Sequence, residues 1–382
     1  MKQIAVIGAS YLQLPLIEKA KDMGLKTHVF AWETGELGEA RADCFYPISI
    51  VEKKQILQKC QEIKIDGICS IASDLAAITV NYVAAHMGLT GNSLESTYRS
   101  TNKHAMRKCF LEHGDPSPTS ISITSLSDVD GKALRYPIIV KPSDRSGSRG
   151  ITKIYNSDEL ENAIEDAKSQ SFEKKVLIEE FAEGQEYSVE CISWKGEHHL
   201  LAVTKKYTTG APHFIETAHL EPASLFPDVI NRIRDITFHA LDSLQIKNGA
   251  SHTELKIADD GAIKLIEIGG RMGGDCIGSD LVQLSTGVDF VQAVIEISLG
   301  EKPTLKAAAN HSAAAIRFIF TEEDLSVLER IKKENPQFLV REEIHSFSNK
   351  QITDSSSRHG YYLLRSEKKQ DIIRYLPRET LQ

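Results

Sequence analysis

The chain has 382 residues, 41% of them apolar and 26% charged, with a formal net charge of −8. That length exceeds one compact core and implies several packed subdomains, and the acidic balance argues against a nucleic-acid scaffold, which normally shows a basic face. No apolar run approaches the roughly 18 residues of a membrane span, and the six scattered cysteines form no Cys-x-x-Cys pair, so buried thiols in a reducing cytoplasm are expected rather than a zinc site.

Ile4–Ile7 is too short for the core of a secretory signal and reads as a first strand. Gly8-Ala9-Ser10 is a tight turn without a full G-x-G-x-x-G pattern, so a dinucleotide site is not expected. A helix over Leu12–Met23 ends at Gly24, and strands follow at Thr27–Phe30 and Gly67–Ile71. Ser73 then caps a helix over Asp74–Met87 that stops at Gly88. This strand–helix rhythm implies a parallel sheet with helices on its faces. A basic helix over Thr101–His113 leads to the connector Asp115-Pro116-Ser117-Pro118, a natural subdomain boundary. Beyond it come strands at Tyr136–Lys141, Ile151–Tyr155 and Val176–Phe181, with a helix starting at Asn156, forming a small unit able to act as a lid. Turns at Lys195-Gly196 and Asp260-Gly261 mark two hairpins, and helices are expected near 226–244, 279–299 and 322–334.

Three segments carry chemistry. The loop 143–150 follows Lys141 and contains Ser146, Gly147 and Ser148. Its small residues would let backbone N–H groups converge on a phosphate, although a solvated hairpin loop accounts for it equally well. Leu177 to Glu186 places carboxylates at the end of an apolar strand whose edge matches an adenine, with Glu186 able to reach ribose hydroxyls. Asp260-Gly261 favours a two-residue type I′ turn, in which paired residue numbers sum to 521 and Glu254 faces Glu267. Two opposed carboxylates repel, and a divalent cation between them reverses that sign; hard oxygen ligands suit Mg²⁺. Lys256 is the competing source of compensation. The glycine-rich run Gly269 to Gly274 then projects Arg271 beside the pair, where it can hold a phosphoryl or acyl-phosphate oxygen.

Taken together and in this order, these motifs resemble the ATP-grasp superfamily over essentially the whole chain, and within it the biotin carboxylase-like branch that includes L-amino acid ligases. The resemblance implies a fold of mixed α/β and α+β character: an N-terminal parallel-sheet domain over 1–115, a lid over 116–190, a catalytic antiparallel sheet over 191–304 and a C-terminal subdomain over 305–382 packed on that sheet. Lys103 and Lys141 resemble the two nucleotide-binding lysines, and 143–150 the loop over the phosphates. Glu179, Glu180 and Ala182 resemble the adenine segment, Glu186 the ribose acid, Glu254 and Glu267 the Mg²⁺ ligands, and Arg271 the catalytic arginine. His252 would lie near the acyl phosphate, with Asp74, Glu216, Arg271 and Gly274 on the substrate side. Many members carry Glu-x-Asn at the second metal ligand, where this chain has Glu267-Ile268-Gly269.

The resemblance thus implies a cytoplasmic ligase that uses ATP with one or two Mg²⁺ ions (or Mn²⁺) to join a small carboxylate to an amine through an acyl phosphate. It implies no nucleic-acid or membrane partner and is compatible with a homodimer. A bicarbonate-phosphorylating carboxylase and a non-catalytic nucleotide-binding regulator are the alternatives.

Overall fold

The computed structural model describes residues 1–145, 149–309, 312–345, 352 and 354–378. The N-terminal sheet is parallel, in the order β3-β2-β1-β4, from β1 (Gln3–Ile7), β2 (Lys26–Phe30), β3 (Cys44–Tyr46) and β4 (Gly67–Cys69). Ile4, Ala5, Val6 and Ile7 are all fully buried, as a strand covered on both faces must be. Alternate residues serve different layers. Ala5 and Ile7 pack with Ile56, Ala76 and Val83 from helices Lys53–Ile63 and Asp74–Met87. Ile4 and Val6 meet Leu16 and Ile17 of helix Leu14–Asp22 and Phe290 of helix Phe290–Ser298. That second cluster continues into Ile192, Ala202 and Ala250 of a different sheet, so one core spans both.

The second sheet is antiparallel, ordered β5-β8-β6-β7, from β5 (Ser120–Ile123), β6 (Ile138–Pro142), β7 (Thr152–Ile154) and β8 (Val176–Glu180). Helix Leu160–Gln170 covers it through Leu160, Ala163, Ile164 and Ala167, and this core is its own. The third sheet has eight antiparallel strands: β9 (Gln185–Trp194), β10 (Glu197–Thr208), β11 (Glu216–Glu221), β12 (Gly249–Ile257), β13 (Ile263–Gly269), β14 (Ala313–Phe318), β15 (Leu339–Ile344) and β16 (Gly360–Ser366). Their order is β13-β12-β9-β10-β11-β14-β16-β15. The segment expected to pack on this sheet therefore contributes three strands to it, joined edge to edge through β11 and β14. β9 likewise runs through the boundary expected at 190.

Two helices depart from the sequence reading for local reasons. The helix expected from Thr101 starts at Lys103, because the Asn102 side chain accepts a hydrogen bond from Ala105 N (3.0 Å) and ends a preceding helix, Leu94–Thr101. The helix expected over 279–299 is interrupted: Gly287, at φ +79°, closes a short helix Val282–Thr286 before Phe290–Ser298 begins. Among the described residues no helix is long and apolar enough to cross a membrane.

Candidate active site

Glu254 does face Glu267 across β12 and β13, but the chain arrives there by another route. Ala258 N bonds to Ala262 O (2.9 Å) and Gly261 N to Ala258 O (2.8 Å), which leaves Asp259, Asp260 and Gly261 as a three-residue loop. Gly261 takes φ +83°, where a side chain would be strained. The longer loop shifts the register by one, pairing Ile257 with Ile263 and Leu255 with Leu265. An irregularity at Ile266 then restores it, so that Glu254 meets Glu267. It also changes parity. Ile263, Leu265 and Ile268 all enter the core, whereas strict alternation would have sent Glu267 inward with Leu265. Arg107 donates to the freed Ile266 carbonyl (2.7 Å).

Each carboxylate of this pair is capped by a lysine. Lys103, at the first turn of its helix, sits 2.6 Å from Glu267 and also donates to Arg145 O (2.9 Å). Lys206, from β10, lies 2.6 Å from Glu254, 2.8 Å from Glu186 and 3.6 Å from Glu216. Burial alone would depress the Lys206 ammonium, but these three carboxylates hold it well above the usual lysine range. Burial would likewise raise Glu254, yet Lys206 and His252 keep it well below the carboxylate range.

Lys141 and Glu179 form a buried pair at 2.5 Å, and Arg107 completes it at 2.8 Å. Desolvation pushes the Lys141 ammonium down against the pull of Glu179, while Glu179 stays low despite its burial because Arg107 and Lys141 flank it. The Glu179 side chain is thus engaged by two cations. Glu180 turns outward to Lys264 (2.5 Å). Phe181 carries Lys153 over one face (3.5 Å to the ring centre) and Lys256 nearby (4.8 Å).

At the other end His252 contacts Glu254 through Nε2 (3.5 Å) and hydrogen-bonds through Nδ1 to the fully buried Glu190. Burial opposes charge on the imidazole, but Glu190 prevails and raises it to about 9. Glu190 also accepts from Gly273 N (3.0 Å), which ties the glycine-rich turn to the same carboxylate. A Cβ on Gly273 would fall 2.6 Å from both Glu190 and His252, so only glycine fits there. Arg271 grips Asp74 with two nitrogens (2.8 and 3.0 Å).

These groups line a cleft that holds Lys103, Lys141, Glu179, Glu180, Ala182, Glu186, Glu216, His252, Glu254, Glu267 and Arg271. Lys206, Glu216, His252, Glu254 and Arg271 also border an adjoining chamber that contains Gly274, Tyr11, His219, Phe318, Tyr361 and the Asp275–Arg358 ion pair (2.6 Å). Asp74 lines neither space and meets Arg271 from outside them. Ser146, Gly147 and Ser148 lie outside the described residues. Arg107, Glu190 and Lys206 escaped the sequence reading; Arg107 left a trace one turn after Lys103 and Glu190 as a charge within an apolar strand, whereas Lys206, between Lys205 and Tyr207, left none.

The facing Glu254 and Glu267 carboxylates form a donor set of hard oxygens that fits a divalent ion, which would compete there with the Lys206 and Lys103 ammoniums. Among the described residues no group of three or more His, Cys, Asp or Glu side chains could hold a metal, so water and ligand oxygens would complete the shell.

Comparison with known proteins adds the following. Residues 134–280 match the ATP-grasp domain family. The chain is 27% identical over 291 residues to the alanine–anticapsin ligase of Bacillus amyloliquefaciens, a match covering 67% of this chain and 61% of that protein. It is 23% identical over 336 residues to human carnosine synthase 1, covering 80% of this chain and 40% of the other. The chain thus spans about three-fifths or less of the length of these two relatives. Its fold superposes on the crystal structure of an L-amino acid ligase from Bacillus licheniformis with a TM-score of 0.83, at 23% identity, over 98% of this chain and 96% of that one.

Proposed function

Starting from an ATP-grasp domain over residues 134–280, we propose that this protein is an ATP-dependent ligase that joins a carboxylate to an amine, one of them an amino acid. One observation carries the reading: a cleft lined by lysines and paired carboxylates opens, at Arg271 and His252, into a second polar and aromatic chamber. An acyl group activated at the junction would meet an amine arriving from the second side.

In this mechanism an oxygen of the substrate carboxylate attacks the γ-phosphorus of ATP, the bond to the β-phosphate oxygen breaks, and ADP leaves. The amine nitrogen then attacks the acyl carbon, loses a proton and expels inorganic phosphate, leaving an amide. Lys103 and Lys141 hold phosphate oxygens, and Glu186 takes the ribose. Glu254 and Glu267 would hold Mg²⁺ (or Mn²⁺), which would supply positive charge to offset that of the triphosphate. Arg271 stabilises the transferring group from a position fixed by Asp74, and His252, kept cationic by Glu190, faces the developing acyl oxyanion. Glu216 pairs with the substrate ammonium. The 120–180 unit, with its separate core, closes over the site and excludes water that would hydrolyse the acyl phosphate.

The test is ADP release with Mg-ATP against amino acids singly and in pairs, with bicarbonate in parallel wells. Release that requires a carboxylate and an amine together, with an amide seen by mass spectrometry, is expected. Release with bicarbonate alone would replace this reading with a carboxylase, and nucleotide binding without release under any condition would reduce it to a regulator.

A further inference from the structure

We propose that this site takes a single divalent cation and that the Lys206 ammonium is its built-in second positive charge, beside Glu254. The inference rests on the nucleotide-ligase reading above and concerns how that site balances its charge.

Space is the first argument. Beyond the two glutamates, the nearest position on β13 that could lend a second ion a further protein donor, two residues past Glu267, is Gly269. Its side-chain space is narrow. A Cβ built on Gly269 would lie 3.1 Å from Asp74 Oδ1 and 3.2 Å from Arg271 Nε, so an amide or carboxylate extending from it would run into the Asp74–Arg271 ion pair. A side-chain ligand there would crowd the arrangement that positions Arg271, so a second ion would depend on the two glutamates and the nucleotide alone.

Charge is the second. Glu186, Glu216 and Glu254 converge from three strands, β9, β11 and β12, and Lys206, 3% exposed, is the cation that touches all three, while His252 meets Glu254 alone. Its base cannot retreat, because β10 is paired on both sides, with β9 and β11. An ammonium so placed does what a second ion would do there: it bridges carboxylates from separate strands and leaves a positive charge at the junction of cleft and chamber. A divalent ion entering the same space would meet that charge at close range. The Glu267 side is different. Lys103 caps it from a helix terminus and also bonds to Arg145 O, a loop carbonyl, so a phosphate-bound ion can take its place there.

The measurement is Mn²⁺ binding followed by electron paramagnetic resonance, with a non-hydrolysable ATP analogue, counting bound ions per bound nucleotide. The wild-type protein should saturate at one ion per nucleotide with an uncoupled six-line spectrum. Lys206→Met should admit a second ion and give the broadened spectrum of a coupled pair, while Lys206→Arg, which keeps the cation, should stay at one. Two coupled ions in the wild type would overturn the proposal, and so would a Met variant that retains nucleotide with only one ion. No retained nucleotide in the wild type would instead remove the ligase reading on which the proposal stands. If the Met variant fails to fold, Lys206→Gln, which also removes the charge, is read in its place, and two coupled ions in the wild type overturn the proposal without either variant.

Discussion

Glu221, on β11, is fully buried, and its carboxylate oxygens accept hydroxyl hydrogen bonds from Thr204 and Ser285, each at 2.6 Å. Burial raises its carboxyl from an ordinary 4.5 to about 7, against the partial relief of those two hydroxyls. The folded chain therefore holds this proton more tightly than the unfolded one. The associated stability is complete below pH 4.5 and is lost as pH rises through 7. Glu221→Gln abolishes this titration while keeping a partner for each hydroxyl. It should leave stability nearly unchanged at pH 4 and raise it by about 3 kcal/mol at pH 8, measured by urea denaturation. An equal effect at both values would show that the carboxyl titrates normally. Glu254, at the cleft surface, shows the opposite behaviour, because Lys206 supplies the charge that Glu221 lacks. Such distinctions are where the sequence was least legible. Glu254 and Glu267 are close in the chain and share a hairpin, so their pairing could be read. Lys206, Glu190 and Arg107 stand 48, 62 and 72 residues from Glu254, His252 and Glu179, the groups they control. Only the assembled fold joins them.

The hinge between helices Leu94–Thr101 and Lys103–His113 shows how an element delivers a side chain. Asn102 caps the second helix through Ala105 N, and the next residue, Lys103, bonds through its own N–H to Ser143 O (3.0 Å), so the cap fixes the ammonium that reaches Glu267. Asn102→Ala should cost about 1 kcal/mol of stability and also weaken ATP affinity. Asn102→Ser, which restores a capping oxygen, should recover most of both, read by thermal unfolding and nucleotide titration. A stability loss with unchanged nucleotide affinity would separate the cap from the site. Elements with strong end signals, such as Ser73 to Gly88 and Glu322–Glu334, were legible because capping is local. β3, β5 and β11 were not, since strands of three to six residues owe their existence to neighbours distant in sequence. The hairpin that carries the two glutamates lies between these cases. Asp260-Gly261 announced a turn, but its length depends on Asp259, and the compensating bulge at Ile266 depends on Arg107.

At the scale of the molecule, the decisive feature is which cores are shared. Helix Phe290–Ser298 lies close enough to β4 that a Cβ on Gly67 would fall 2.7 Å from Ser298 O, and the cluster around Phe290 joins Ile4 and Val6 to Ala250 of β12. The parallel sheet and the eight-stranded sheet therefore have no apolar boundary at which to part, although nearly 180 residues separate their first strands along the chain. The 120–180 unit differs, because its cluster of Ile123, Val140, Ile164 and Val176 draws on no other sheet. A unit with its own core can open while the rest stays folded, and local opening free energies follow such divisions. Urea-dependent native-state hydrogen exchange should show β1, β12 and helix Phe290–Ser298 opening together at the global free energy, with β6 and β8 exchanging at a lower one. Mg²⁺ with a non-hydrolysable ATP analogue should then slow exchange chiefly in β6 and β8, since a lid that closes on ligand loses its independent opening. If β1 instead opened well below Phe290–Ser298, the shared core would not bind the N-terminal sheet to the rest. Arg271, held by Asp74 across that junction, would then move with it.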